Sequence, residues 1–250
     1  MTTQQVLSEL NNQLRKLGLA GMLNALDNRN QEAVRNQMAY CDFLSLLAED
    51  ELLMRHNRRH ECLLKQANIR GRKTLENFDF RFNPSINQSL IKDLAGLRFL
   101  QEKCPVLILG PCGTGKSHIA QSIGFCAIKQ GLEVLYTTQD HLSQLLQTAK
   151  AIGTYAKRLR ALIKVPLLII DDFALKPLKS PQDEDLHDLI AERYEQASTL
   201  ITSNLAFDEW QQAFPNQLLA AATLDRLQHN AYVLVLEGES YRANKNKKKL

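Results

Sequence analysis

Apolar residues recur at helical spacing through the first quarter of the chain. Val6, Leu7, Leu10, Leu14 and Leu17 fall every three or four positions and predict an amphipathic helix that Gly18 ends. A second such stretch runs from about residue 38 to 64, with Phe43, Leu44, Leu46, Leu47, Leu52 and Leu53 as its apolar stripe. Residues 1 to about 70 therefore read as helical, without a convincing strand. From Thr74 the texture changes to LENFDFRFNPSINQSL, where Phe78, Phe80, Phe82 and Pro84 predict a linker whose aromatics pack onto the domain that follows.

Beyond Cys104 short apolar runs alternate with longer helical patterns. Strands are expected over 105–109, 132–137, 165–170, 199–203 and 232–236. Nearly continuous apolar strands separated by helices predict a parallel sheet covered on both faces, an α/β doubly wound architecture. The expected organisation is a helical N-terminal domain over 1–72, an aromatic linker and lead-in helix over 73–103, the α/β domain over 104–243, and a basic tail over 244–250.

A chain of 250 residues has room for one good-sized core and a small second module. No apolar run approaches the roughly 20 residues that span a bilayer, so no membrane association is expected. The start, MTTQQVLSELNNQ, lacks a basic-then-apolar export pattern. Cys41, Cys62, Cys104, Cys112 and Cys126 never form a Cys-x-x-Cys pair, which predicts a reduced, cytoplasmic setting without disulfides or a zinc site. The net charge of +4 matters less than its distribution. Arg55, Arg58, Arg59, Lys65, Arg70, Arg72 and Lys73 lie in one stretch against a single acid, Glu61, and Lys245, Lys247, Lys248 and Lys249 end the chain. Such patches suit a polyanionic partner, with a solvated helix face as the alternative; for the terminal lysines a frayed tail is the better reading.

Two motifs carry chemistry. Gly110, Pro111, Cys112, Gly113, Thr114, Gly115, Lys116 and Ser117 match the Walker A pattern in full, with His118 following. The loop follows the apolar run VLIL and opens a helix expected to reach about Gln130, the context the motif requires. Its glycines allow the backbone to wrap a phosphate with N–H groups pointing inward, and the positive helix end adds to that anion site. Lys116 is expected to reach the β and γ phosphates of ATP, and Ser117 to ligate Mg²⁺. LLIIDD, residues 167–172, reads as the Walker B strand, its acids emerging at the carboxyl end where ligands bind in such sheets. Asp171 is expected to hold Mg²⁺ and Asp172 to orient or deprotonate the attacking water. Many ATPases of this class carry Glu at the second position, a difference that bears on rate.

The motif order is similar to that of AAA+ ATPases, and that likeness implies two further roles. Asn204, after the strand LITS, falls where the sensor 1 residue hydrogen-bonds the lytic water and γ-phosphate; Thr202 and Ser203 have similar capability. Arg226, in LDRL before the last strand, falls where an arginine finger reaches the nucleotide of a neighbouring subunit. Arg242 is a weaker candidate for nucleotide sensing, and the few residues after it leave no room for a C-terminal lid.

The succession LENFDFRFNPSI, LRFL, LILGPCGTGKSHIA, LLIIDDF, ITSNL and DRL resembles the IstB family, helper ATPases of two-component bacterial insertion sequences. That family is related to the DnaC helicase loaders and, more distantly, to the DnaA initiators. The resemblance covers nearly the whole chain. Cys112 departs from the family's usual proline, although its backbone can still serve. The resemblance implies an ATPase that forms homo-oligomers with shared ATP sites on double-stranded target DNA, with little sequence preference. It also implies recruitment and stimulation of an IstA-type transposase, which would perform the cutting and joining. Two regions qualify for DNA contact: the basic stretch 55–73, and the helical segment before LLIIDD with Lys150, Lys157, Arg158, Arg160 and Lys164 beside Tyr155. A DnaC-like helicase loader and a non-hydrolysing scaffold are the alternatives.

Overall fold

The computed structural model describes residues 3–69, 73–84, 86–241 and 243. Arg70, Arg72, Arg242 and the tail 244–250 lie outside the described residues. The chain divides into two compact units, Met1–Cys62 and Leu63–Leu250.

The first unit is helical. α1 (Thr3–Lys16) ends at Gly18, which adopts φ 70°, the left-handed turn that favours glycine. α2 (Ala20–Asn36) and α3 (Tyr40–Gln66) follow, and Leu14, Leu26 and Leu47 form the small core of the bundle. The sequence pattern does not single out α2. Its N-terminus is capped from α3: the buried Glu51 carboxylate accepts from the N–H of Gly21 at 2.6 Å and of Met22 at 3.2 Å. Arg55 closes on the same carboxylate at 2.6 Å, so this cation of the basic stretch has a local partner.

The second unit holds a five-stranded parallel sheet in the order β2-β3-β4-β1-β5. β1 is Val106–Leu109, β2 Val134–Thr138, β3 Leu167–Phe173, β4 Ser198–Ser203 and β5 Tyr232–Val235. Every expected strand forms, with ends displaced by a few residues. In β1, β3 and β4 alternate side chains enter two cores, which is why these strands read as nearly unbroken apolar runs, whereas edge strand β5 leaves Val233 and Val235 exposed. Ile108, Ile169 and Leu200 face one layer with Ile119 and Ile123 of α6 (Lys116–Lys129). Leu107, Leu168, Ile170 and Ile201 face the other with α7 (Gln139–Ala151), α8 (Tyr155–Lys164), α9 (Gln182–Arg193) and α10 (Gln217–Gln228). Phe78 and Phe80 of the linker pack onto the first layer, and α4 (Gln88–Ala95) and α5 (Arg98–Gln101) lead into β1.

One irregularity positions the site. The β3–β4 register slips between Ile170 and Phe173, whereas Asp171 stays paired with Thr138 of β2. Asp172 takes φ 55° at the slip. A bulge of this kind re-aims side chains at a strand end; here Asp171 is buried and Asp172 is exposed.

Candidate functional site

The loop between β1 and α6 turns on its glycines. Gly110 and Gly115 adopt φ 139° and 104°, and a Cβ at these positions would lie 2.0 Å from the Leu236 carbonyl oxygen and 2.6 Å from the Phe78 ring. Only glycine fits such conformations at such close range. Within the loop the Pro111 carbonyl accepts from Thr114 Oγ1 at 2.9 Å and from the buried Lys116 ammonium at 2.7 Å. The loop forms one wall of a cavity of about 540 Å³ that Lys116, Ser117, Asp171, Asp172 and Asn204 line together. These residues come from α6 and the carboxyl ends of β3 and β4.

Asp171 is the hub of the cavity. Ser117 Oγ donates to its Oδ1 at 2.9 Å, Thr202 Oγ1 donates to the same oxygen, and the Tyr136 hydroxyl donates to Oδ2. Burial first, and then the Asp171 carboxylate, raise the Tyr136 hydroxyl well above its ordinary value, so it stays a donor. Thr202 also accepts from the Asp172 N–H at 3.3 Å, which ties the bulge to β4. Ser203 is otherwise engaged: its hydroxyl donates to the Phe173 carbonyl at 2.8 Å and accepts from Trp210 Nε1 at 3.1 Å. A hydroxyl beside a carboxylate is a hard-oxygen pair that fits Mg²⁺, an ion commonly bound by one or two carboxylates together with substrate phosphates. Among the described residues no group of three or more His, Cys, Asp or Glu side chains could hold a metal unaided.

Cys112 and Gly113 line the cavity, with Cys112 exposed. His118 lines it too, but its Nε2 faces the Thr74 carbonyl at 2.9 Å and its ring meets Phe78 edge-on, so it joins the linker to α6. Lys73, grouped by sequence with the basic stretch, lines this same cavity. Phe82 and Asn83 of the aromatic segment also line it, as do Tyr136, Gln121 and Tyr241, which no sequence motif marks. For Tyr136 a signal exists: it lies two residues before Thr138, the β2 residue paired with Asp171.

Arg226 lies apart from this cavity. It donates to the Ala222 carbonyl at 2.7 Å and lines a second cavity, of about 260 Å³, with Glu102, Arg193, Tyr194 and His229 at the edge where the strands begin. Lys157 and Arg160 line an open cavity at α8 with Lys164, and Lys157, Arg158 and Arg160 are all exposed. Both ends of α8 are anchored. Asp185 binds Lys150 at 2.6 Å and the Tyr155 hydroxyl at 2.8 Å beside its first turn. The buried Arg193 donates to the carbonyls of Leu162, Ile163 and Val165 at its end. Arg58, Arg59 and Lys65 are exposed on α3.

The chain is similar to several known proteins. The ATP-binding protein of insertion sequence IS21 from Pseudomonas aeruginosa is 35% identical over 240 residues, 96% of this chain and 91% of that protein. An insertion-sequence ATP-binding protein of Mycobacterium tuberculosis is 34% identical over 237 residues, 94% of each chain. Among solved structures, the replication initiator DnaA bound to AMPPCP and single-stranded DNA matches with TM-score 0.58 at 22% identity, over 73% of this chain and 56% of that one. The DnaC helicase loader matches with TM-score 0.52 at 21% identity, over 58% and 85%. The fold is that of the AAA+ ATPases. Residues 12–249 match the family described as IstB-like ATP binding protein, and the chain belongs to that family.

Proposed function

We propose that this protein hydrolyses ATP with Mg²⁺, assembles through shared ATP sites on double-stranded target DNA, and recruits and stimulates an IstA-type transposase in the cytoplasm. The observation that carries the catalytic part is the convergence of Lys116, Ser117, Asp171, Asp172 and Asn204 on one cavity. Lys116 and the loop N–H groups take the β and γ phosphates. Mg²⁺ held by Ser117 and Asp171 would supply charge neutralisation at the phosphate oxygens. Asp172 accepts a hydrogen bond from the attacking water, and Asn204 orients that water toward the γ-phosphorus. As the water oxygen bonds to the γ-phosphorus, the bond to the bridging oxygen of ADP breaks and the released proton passes to Asp172.

Arg226, in a cavity of its own, serves the nucleotide of a neighbouring subunit. Exposed cations on α8 neutralise DNA phosphates, which gives affinity with little sequence information. The helical segment 1–72 serves DNA or the transposase. The insertion-sequence names of the relatives support the transposition role. Electron microscopy of the protein with duplex DNA and a non-hydrolysable ATP analogue tests the reading. Nucleotide-dependent assemblies on duplex DNA are expected; assembly on single strands alone would favour a DnaC-like loader and overturn it.

A further inference from the structure

Gln121, which lines the cavity around Asp171, carries a buried polar atom that no described residue satisfies. Gln121 is 2% exposed, and its Oε1 has no hydrogen-bond partner. The Gln121 side chain hydrogen-bonds the Tyr136 hydroxyl, which itself donates to Asp171 Oδ2. This relay has one polarity. An ionised carboxylate only accepts and a hydroxyl has a single proton, so Tyr136 spends that proton on Asp171 and must accept from the Gln121 amide NH₂. The orientation of the amide follows, and Oε1 points away from Tyr136.

A buried acceptor without a donor is unfavourable and calls for an explanation. Gln121 lies four residues after Ser117, on the same face of α6, and both line the cavity with Asp171. The phosphate oxygens of ATP are acceptors and cannot satisfy an amide oxygen. Mg²⁺, by contrast, usually keeps several waters, whose hydrogens are donors. We propose that Gln121 is a positioning residue of the divalent-cation site, its NH₂ fixing Tyr136 against Asp171 and its Oε1 accepting a hydrogen bond from the hydrated cation that accompanies ATP. The inference rests on the ATP-site reading and adds a role that neither motif encodes.

The test measures the affinity of a fluorescent ATP analogue in Mg²⁺ and in EDTA, and takes the ratio. Gln121→Met keeps the volume and removes both amide functions. It is expected to lower the Mg²⁺-dependent gain by about 10-fold, the range for partners that orient metal ligands, while affinity in EDTA stays within about 2-fold. Gln121→Glu keeps an oxygen acceptor but loses the NH₂ that fixes Tyr136, so it is expected to retain part of the gain, which separates the role from general packing and serves if the Met variant does not fold. An unchanged ratio in Gln121→Met, an equal weakening in EDTA, or a gain in Gln121→Glu that is either undiminished or abolished would overturn the proposal. Failure of the unsubstituted protein to bind the analogue would instead overturn the ATP-site reading beneath it.

Discussion

Ser117 and Asp171 are 54 residues apart in the chain and meet at 2.9 Å, the hydroxyl donating to Oδ1. One residue opens α6 and the other lies near the end of β3, so the sheet order brings the two motifs to one point. Thr202 of β4 and Tyr136 of β2 complete the set of hydroxyls around the carboxylate. Asp171 is thereby held rigidly, which leaves Asp172 as the accessible acid.

Asp172→Asn separates binding from chemistry. Asn tolerates the left-handed conformation at φ 55° as well as Asp does, so the bulge should persist. Hydrolysis is expected to fall by about 10²–10⁴-fold with ATP affinity retained. Phosphate release measured beside nucleotide binding checks this; an unchanged rate would assign the water to another acid.

Arg226→Ala is expected to bind ATP normally and to fail in hydrolysis only once assembled. Mixing it with Lys116→Ala chains should restore activity above either variant alone, because some interfaces join an intact finger to an intact loop. Mixed assemblies that form on DNA and stay inactive would leave Arg226 a structural residue of α10.

Replacing Lys157, Arg158 and Arg160 of α8 together by Ala tests the DNA surface. All three are exposed, so thermal stability should hardly change. The slope of log affinity against log salt is expected to decrease by about 1 for each DNA phosphate that the variant no longer neutralises, uniformly across DNA sequences. An unchanged slope would move the interface to α3.

Arg193→Lys tests the anchor of α8. Burial pushes the Arg193 guanidinium down to about 9, which leaves it charged at neutral pH. Its fork reaches three carbonyls at the end of α8, the Ser198 carbonyl and Thr199 Oγ1. Lysine keeps the charge but cannot span these acceptors. A loss of about 2–4 kcal/mol is expected in urea unfolding; a loss near zero would mean that a point charge suffices.

The sheet is legible in the sequence because each strand is apolar on both faces, and the phosphate loop because its glycines and lysine are contiguous. α2 is not, since a carboxylate from α3, Glu51, caps it. Gln121 and Tyr136 escape a sequence reading for a related reason: Tyr136 meets Asp171 and Gln121 meets Tyr136 across β2, β3 and α6, which no local pattern records. Lys73 belongs by sequence to the basic run, and its place in the lining of the loop's cavity is not visible when charges are read along the chain. Arg226 is legible only through the family resemblance.

Binding of a labelled ATP analogue to the wild-type protein and to Lys116→Ala tests the central claim most directly, that this cavity is the ATP site. Lys116 is the buried cation of the loop, and loss of its charged hydrogen bonds is expected to weaken binding by about 100-fold. A Lys116→Ala protein that binds the analogue with wild-type affinity would contradict the account.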